Sequence, residues 1–122
     1  MVKKIPISTD KAPTPTGPFN QAIVAGNLVF TSGQAGRNRE TGLMGDIHDQ
    51  ARRCIQHISY VLEAAGTSLE NVVKATIYLR HASDWKGFNE EYVKLMPKPL
   101  PARTSVIAAL KGDDMLCEME VI

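Results

Sequence analysis

A chain of 122 residues, 43% hydrophobic and 22% charged, has room for a single domain, 1–122, with its own core, and not for two. Its 14 Lys and Arg stand against 13 Asp and Glu, a net charge of +1, so no global field draws it to nucleic acid or to an acidic membrane. No apolar run reaches membrane length, and Met1 to Pro6 carries two lysines with no apolar stretch behind them, unlike a secretory signal.

Lys3 to Ile7 reads as a short opening strand, and the prolines between Lys11 and Pro18 break any ladder after it, because proline donates no backbone hydrogen bond. Gln21–Ala25 and Leu28–Ser32 are β-prone runs joined by Gly26-Asn27, a two-residue hairpin signal. Gly33 to Gly45 reads as a glycine-bearing loop without the spacing of a P-loop or a dinucleotide fingerprint. Asp46 is placed to cap a helix whose apolar face is Ile47, Ala51, Cys54, Ile55, Ile58, Val61, Leu62 and Ala65, with Gly66 positioned to end it. Val72 to Arg80 alternates as a strand, with Val73, Ala75, Ile77 and Leu79 on one face. Asp84 is placed to cap a second helix bearing Trp85, Phe88, Tyr92 and Met96 at helical spacing. Pro97, Pro99 and Pro101 end that helix and feed an extended segment through Ile107; a Gly112-Asp113-Asp114 turn then leads to a last strand, Met115 to Ile122.

This order implies an α+β domain, a mixed sheet with both helices on one face. The other face carries apolar and small residues and is expected to be covered by further copies of the chain. Cys54 and Cys117 are too few for a disulfide framework and sit in apolar patterns, which reads as reduced core thiols in a cytoplasmic protein, with a mitochondrial address left open.

Arg103 stands out as a charge in what reads as a buried strand, sharing its face with Ser105 and Ile107. A guanidinium is costly to desolvate unpaired, so its partner is either a structural carboxylate or a bound anion. Glu118 and Glu120 point to one side of the last strand, and a hairpin with the arginine strand would set one of them across from Arg103. They form either a solvated face with a rim ion pair, or a proton-exchanging group with a raised pKa beside an anion site. His48 and His57 are nine residues apart, on opposite sides of one helix. No further ligand completes a metal set around Cys54 and His57, so no metal is expected. Ser32 lacks the context of an activated nucleophile.

Taken in order, Gly17-Pro18-Phe19-Asn20-Gln21-Ala22, the stretch from Gly26 to Gln34, that from Glu63 to Thr76, Pro101-Ala102-Arg103-Thr104-Ser105-Val106 and Glu118-Met119-Glu120 resemble the Rid family, also called YjgF or L-PSP. The resemblance runs from about Ser8 to Ile122 and is closest to the archetypal RidA branch of reactive intermediate deaminases. It implies a chorismate mutase-like fold assembled as a homotrimer around a central β-barrel, with ligand clefts between subunits. It implies hydrolytic deamination of 2-imino and enamine acids, such as 2-aminoacrylate and 2-iminobutanoate, to 2-keto acids and ammonia, without cofactor or metal. By position, the resemblance makes Arg103 the holder of the substrate carboxylate and Glu118 the group that positions water and manages its protons. Ser32 and the Gly33 backbone become pocket contacts, and Ser105 contributes main chain. Phe19 stands where that branch usually has tyrosine, which removes a hydroxyl but leaves a ring able to pack over the ligand; Ser105 stands where cysteine is common. The rival reading is a non-catalytic trimer: a small-carboxylate binder, a holdase, or a translation inhibitor of the endoribonuclease type. Near-zero net charge and scattered histidines speak against nucleic acid as a partner.

Overall fold

The computed structural model describes all of residues 1–122. Asp46 fixes where α1 (Ile47–Ala64) begins: its carboxylate accepts the Asp49 N–H while the Asp49 carboxylate accepts the Asp46 N–H, a reciprocal cap. Gly66, at φ 86°, ends it by letting the Gly66 and Thr67 N–H groups reach back 3.0 Å to the Glu63 and Leu62 carbonyls. The face read from sequence is the buried one, from Ile47 through Leu62.

β1 (Lys4–Ile7), β2 (Ala22–Ala25) and β3 (Leu28–Thr31) form an antiparallel sheet, with Gly26 at φ 62° in the hairpin turn. The second sheet contains β4 (Gln34–Ala35), β5 (Lys74–Leu79), β6 (Ala102–Ile107) and β7 (Cys117–Val121), in the order β4-β7-β5-β6. β6 runs parallel to β5, and α2 (Trp85–Leu95) lies in the connection between them. Thr31 joins the two sheets, its Oγ1 accepting the Val121 N–H at 2.9 Å.

The main core cluster brings the α1 face against Phe88, Tyr92 and Met96 of α2, Ala75, Ile77 and Leu79 of β5, and Cys117, Met119 and Val121 of β7, and a smaller one joins Val61 of α1 to Ala12 and Ala22. Both cysteines are free and fully buried, Sγ to Sγ 3.6 Å. Gln50 is also fully buried. Its Nε2 donates to the Gly45 and Asp114 carbonyls, each at 3.0 Å, and its Oε1 accepts the Leu116 N–H at 2.8 Å, so every polar atom is matched.

Four differences from the sequence reading have physical causes. β4 sits inside the expected loop; two residues are too short for periodicity to reveal, and the strand exists because β7 pairs with it. Asp84 does not cap α2: it lies in a preceding 3₁₀ turn with helical backbone angles, so the chain enters the helix already coiled. Val73 is 60% exposed, just outside β5. The arginine strand β6 is an edge strand with mostly exposed residues, because α2 covers it only partly.

Gly36 packs against α1 so closely that a Cβ there would lie 2.3 Å from the Gln50 carbonyl oxygen. Gly36→Ala is therefore expected to lower unfolding free energy by about 3 kcal/mol, measured by urea denaturation.

Candidate functional site

Register on β5 decides where the site residues point. Ala75 is paired with Arg103 and Ile77 with Ser105, while Tyr78 is paired with Glu118 and Thr76 with Glu120. Ala75, Ile77 and Leu79 are buried under the helices, so Arg103 and Ser105 share the helix face and Glu118 and Glu120 share the open face. The hairpin pairing of Arg103 with a glutamate does not occur, because β5 stands between β6 and β7. The sequence-derived residues therefore fall into two groups.

Arg103 reaches from the sheet edge over α2. Its Nε–H donates to Ser105 Oγ at 2.9 Å and its Nη2 donates to Asn89 Oδ1 at 2.6 Å. The guanidinium carbon lies 4.7 Å from the Tyr92 ring centre, 5.4 Å from Trp85 and 5.6 Å from Phe88. These π faces offset part of the cation's desolvation. The ion pairs of the chain are made by Arg37, His48, Arg52 and Lys94, and none involves Arg103. That removes the structural carboxylate as its partner. With Nε and one Nη2 hydrogen engaged, the Nη1 hydrogens and the second Nη2 hydrogen remain as a fork for a carboxylate. Burial pushes the guanidinium pKa down, and the neighbouring Tyr92 opposes that shift. The Tyr92 hydroxyl is buried without a hydrogen-bond partner, and burial pushes its own pKa up.

Asn89 and the aromatic surround escaped the sequence reading. Trp85 and Asn89 are four residues apart, on one helix face. That spacing was available, but an asparagine there reads as solvated until Arg103 is placed beside it. Ser105 acts here through its side chain as well as its position.

The second group gathers on the other face. A Cβ on Gly33 would lie 2.0 Å from Glu118 Oε1, so a side chain there would displace the carboxyl group from where it lies. Ser32 holds the adjoining segment: its Oγ donates to the Asn20 carbonyl at 2.6 Å and its N–H donates to the Gln21 carbonyl at 2.9 Å. Next to Asn20, Phe19 presents a ring to solvent, 48% exposed. Burial raises the pKa of Glu118, and Glu120 beside it raises it further. Tyr78 donates its hydroxyl proton to Glu120. One group is thus equipped to hold an anion and the other to take and return a proton.

The family model described as Endoribonuclease L-PSP matches residues 9–122. The chain is 44% identical over 123 residues to the Reactive Intermediate Deaminase A, chloroplastic, of Arabidopsis thaliana, covering 99% of this chain and 66% of that protein. It is 37% identical over 118 residues to the 2-iminobutanoate/2-iminopropanoate deaminase of Dermatophagoides farinae, covering 95% and 92%. Among solved structures, RidA of an Antarctic Psychrobacter superposes with a TM-score of 0.88 at 38% identity, covering 94% of each chain.

The raised pKa of Glu118 has a stability consequence. A carboxyl whose folded pKa exceeds its unfolded value favours the folded state below the unfolded pKa, and that contribution is lost as pH rises through the folded pKa. Glu118→Gln is expected to match the parent protein at acid pH and to become the more stable of the two as pH climbs past the ordinary glutamate range, read as the difference in unfolding free energy across a pH series.

Proposed function

Because the chain belongs to the Rid family, that of the Endoribonuclease L-PSP model, we propose that it hydrolyses reactive 2-imino and enamine acids, such as 2-iminobutanoate and 2-aminoacrylate, to 2-keto acids and ammonia. The observation that carries this reading is Arg103: a partly buried guanidinium held by Ser105 and Asn89, without an acidic partner, and with a fork left open. A ligand bearing a carboxylate supplies what the chain withholds.

Arg103 and Glu118 lie on opposite faces of one sheet, with β5 between their strands. A cleft that uses both takes Arg103 from one copy and Glu118 from its neighbour. The open face offers the cover for such an assembly, since Phe30 and Val106 are exposed there. A homotrimer with its open faces turned inward into a β-barrel fits this need, and the clefts then fall between subunits.

Within that cleft the chemistry is brief. The Arg103 fork holds the substrate carboxylate, and the Phe19 ring packs over the substrate without contributing a hydroxyl. An enamine first tautomerises to the imine, a proton arriving at C3 as another leaves the nitrogen. Water bonds to C2 as Glu118 takes one of its protons and delivers it to the nitrogen, giving a carbinolamine. A second transfer by the same route, from hydroxyl to nitrogen, breaks the C–N bond, and ammonia leaves the 2-keto acid. The upward shift of the Glu118 pKa, caused by burial and by Glu120, suits a group that must both accept and return a proton. Imines are electrophilic enough that an anchored substrate and one oriented water suffice; Ser32 and the Gly33 backbone complete the pocket wall.

The test couples a pyridoxal-phosphate threonine dehydratase to the protein and follows keto-acid release. The intact chain is expected to accelerate release, Arg103→Ala to lose about 100-fold in kcat/KM with its two charge-assisted hydrogen bonds, and Glu118→Ala to lose turnover while still binding 2-ketobutanoate. Turnover unchanged in Glu118→Ala would leave a carboxylate-binding protein instead. Coexpressing the Arg103→Ala and Glu118→Ala chains in equal amounts is expected to restore about a quarter of the clefts, since random assembly pairs an intact arginine with an intact glutamate that often. No recovery above either variant alone would place both residues in one protomer's site.

A further inference from the structure

A second cationic centre lies apart from Arg103 and shares no residue with either half of the site described above. α1, the segment after β4 and the proline-bearing loop enclose a groove of about 690 Å³ that is lined by Lys11, Arg39, Arg53, His57 and Tyr60. Arg53 is fixed in place: its Nε–H donates to the Gly36 carbonyl at 2.6 Å and its Nη2 donates to the Met44 carbonyl. Both acceptors are neutral, so the charge stays uncompensated. One helical turn on, His57 is 3% exposed, its Nδ1–H donating to the Ala35 carbonyl at 2.9 Å. Lys11 stands over the Tyr60 ring at 5.9 Å. None of Lys11, Arg39 and Arg53 forms an ion pair, and neither does Glu40, the groove's single acid. In a chain of net charge +1, three cations from three separate segments meet one carboxylate here.

From this convergence of Lys11, Arg39 and the backbone-anchored Arg53 on one groove, we propose that the protein binds a small phosphate-bearing molecule there, a phosphomonoester or a diphosphate. Like charges gathered at a surface repel one another, and a ligand of two or more negative charges relieves that repulsion in a way a monocarboxylate does not. The volume exceeds what a bare ion needs and lies within the range of about 300–1,000 Å³ for small-molecule sites. Tyr60 and the Gln56 amide, which also line the groove, offer a ring face and a hydrogen-bonding group to the organic part of such a ligand. Arg53 presents the remaining hydrogens of its fork already oriented, so little side-chain freedom is lost on binding. This proposal stands independently of the imine-hydrolase reading.

Isothermal titration with inorganic pyrophosphate at low ionic strength tests it. Saturable binding at one site per chain is expected, weakened about tenfold or more in a Lys11→Ala/Arg39→Ala double variant, whose side chains are exposed and hold no fold contact with an acid. A thermal melt matching the parent keeps the double variant interpretable; Arg53 is left intact because it holds two loop carbonyls. Binding is expected to persist in Arg103→Ala and to weaken as salt rises. Absence of saturable binding up to millimolar pyrophosphate would overturn the proposal. So would loss of binding in Arg103→Ala with the double variant unaffected, which would assign the phosphate to the carboxylate cleft. Binding of a single-stranded RNA oligonucleotide that depends on Lys11 and Arg39, with none for pyrophosphate, would replace the small-ligand reading by a nucleic-acid surface.

Discussion

The alternation of side chains along β5 governs the arrangement of nearly everything else. Its Ala75, Ile77 and Leu79 are sealed under α1 and α2, and every strand registered to β5 inherits the same two faces. β6 therefore sends Arg103 toward α2, and β7 sends Glu118 and Glu120 away from the helices. A shift of one residue in the β5·β7 pairing would turn Glu118 and Glu120 into the core and Cys117, Met119 and Val121 out of it, so the hydrophobic pattern of β5 and β7 fixes the face on which the glutamates stand.

That separation gives each group a distinct environment. Arg103 sits among π faces and neutral oxygens, where its charge is tolerated without being cancelled. An acidic side chain in place of Asn89 or Ser105 would have stabilised the cation and closed the fork. Glu118 meets the opposite conditions: a glycine that makes space, a carboxylate neighbour, and a raised pKa. The family fold supports both environments at the modest cost of one edge strand and one glycine.

Local signals were legible where the chain itself settles the outcome. Asp46, the apolar face from Ile47 to Leu62 and Gly66 delimit α1 through capping and periodicity alone. Gly26-Asn27 marks its hairpin, and the alternation of Glu118 with Cys117 and Met119 gives the correct face of β7. Strand order was not legible: nothing in the residues of β6 and β7 announces that β5 lies between them, since that depends on a long crossover through α2. β4 and the Asn89 contact were hidden for the same reason, each being defined by a partner distant in sequence. The exposure of β6 was misjudged because Val106 and Ile107 have the composition of a core strand.

Gln50 ties together parts of the molecule that the chain keeps far apart. Its three hydrogen bonds bridge the Gly45 carbonyl, the Asp114 carbonyl and the Leu116 N–H across the buried side of α1. Lifting either loop alone would leave the part of the buried amide that the loop had matched without a partner, which costs more than the contact itself contributes. The two loops consequently behave as one cooperative opening unit: the Leu116 amide exchanges with solvent deuterium on the timescale set by the whole assembly of loops, and not by the local turn that contains it.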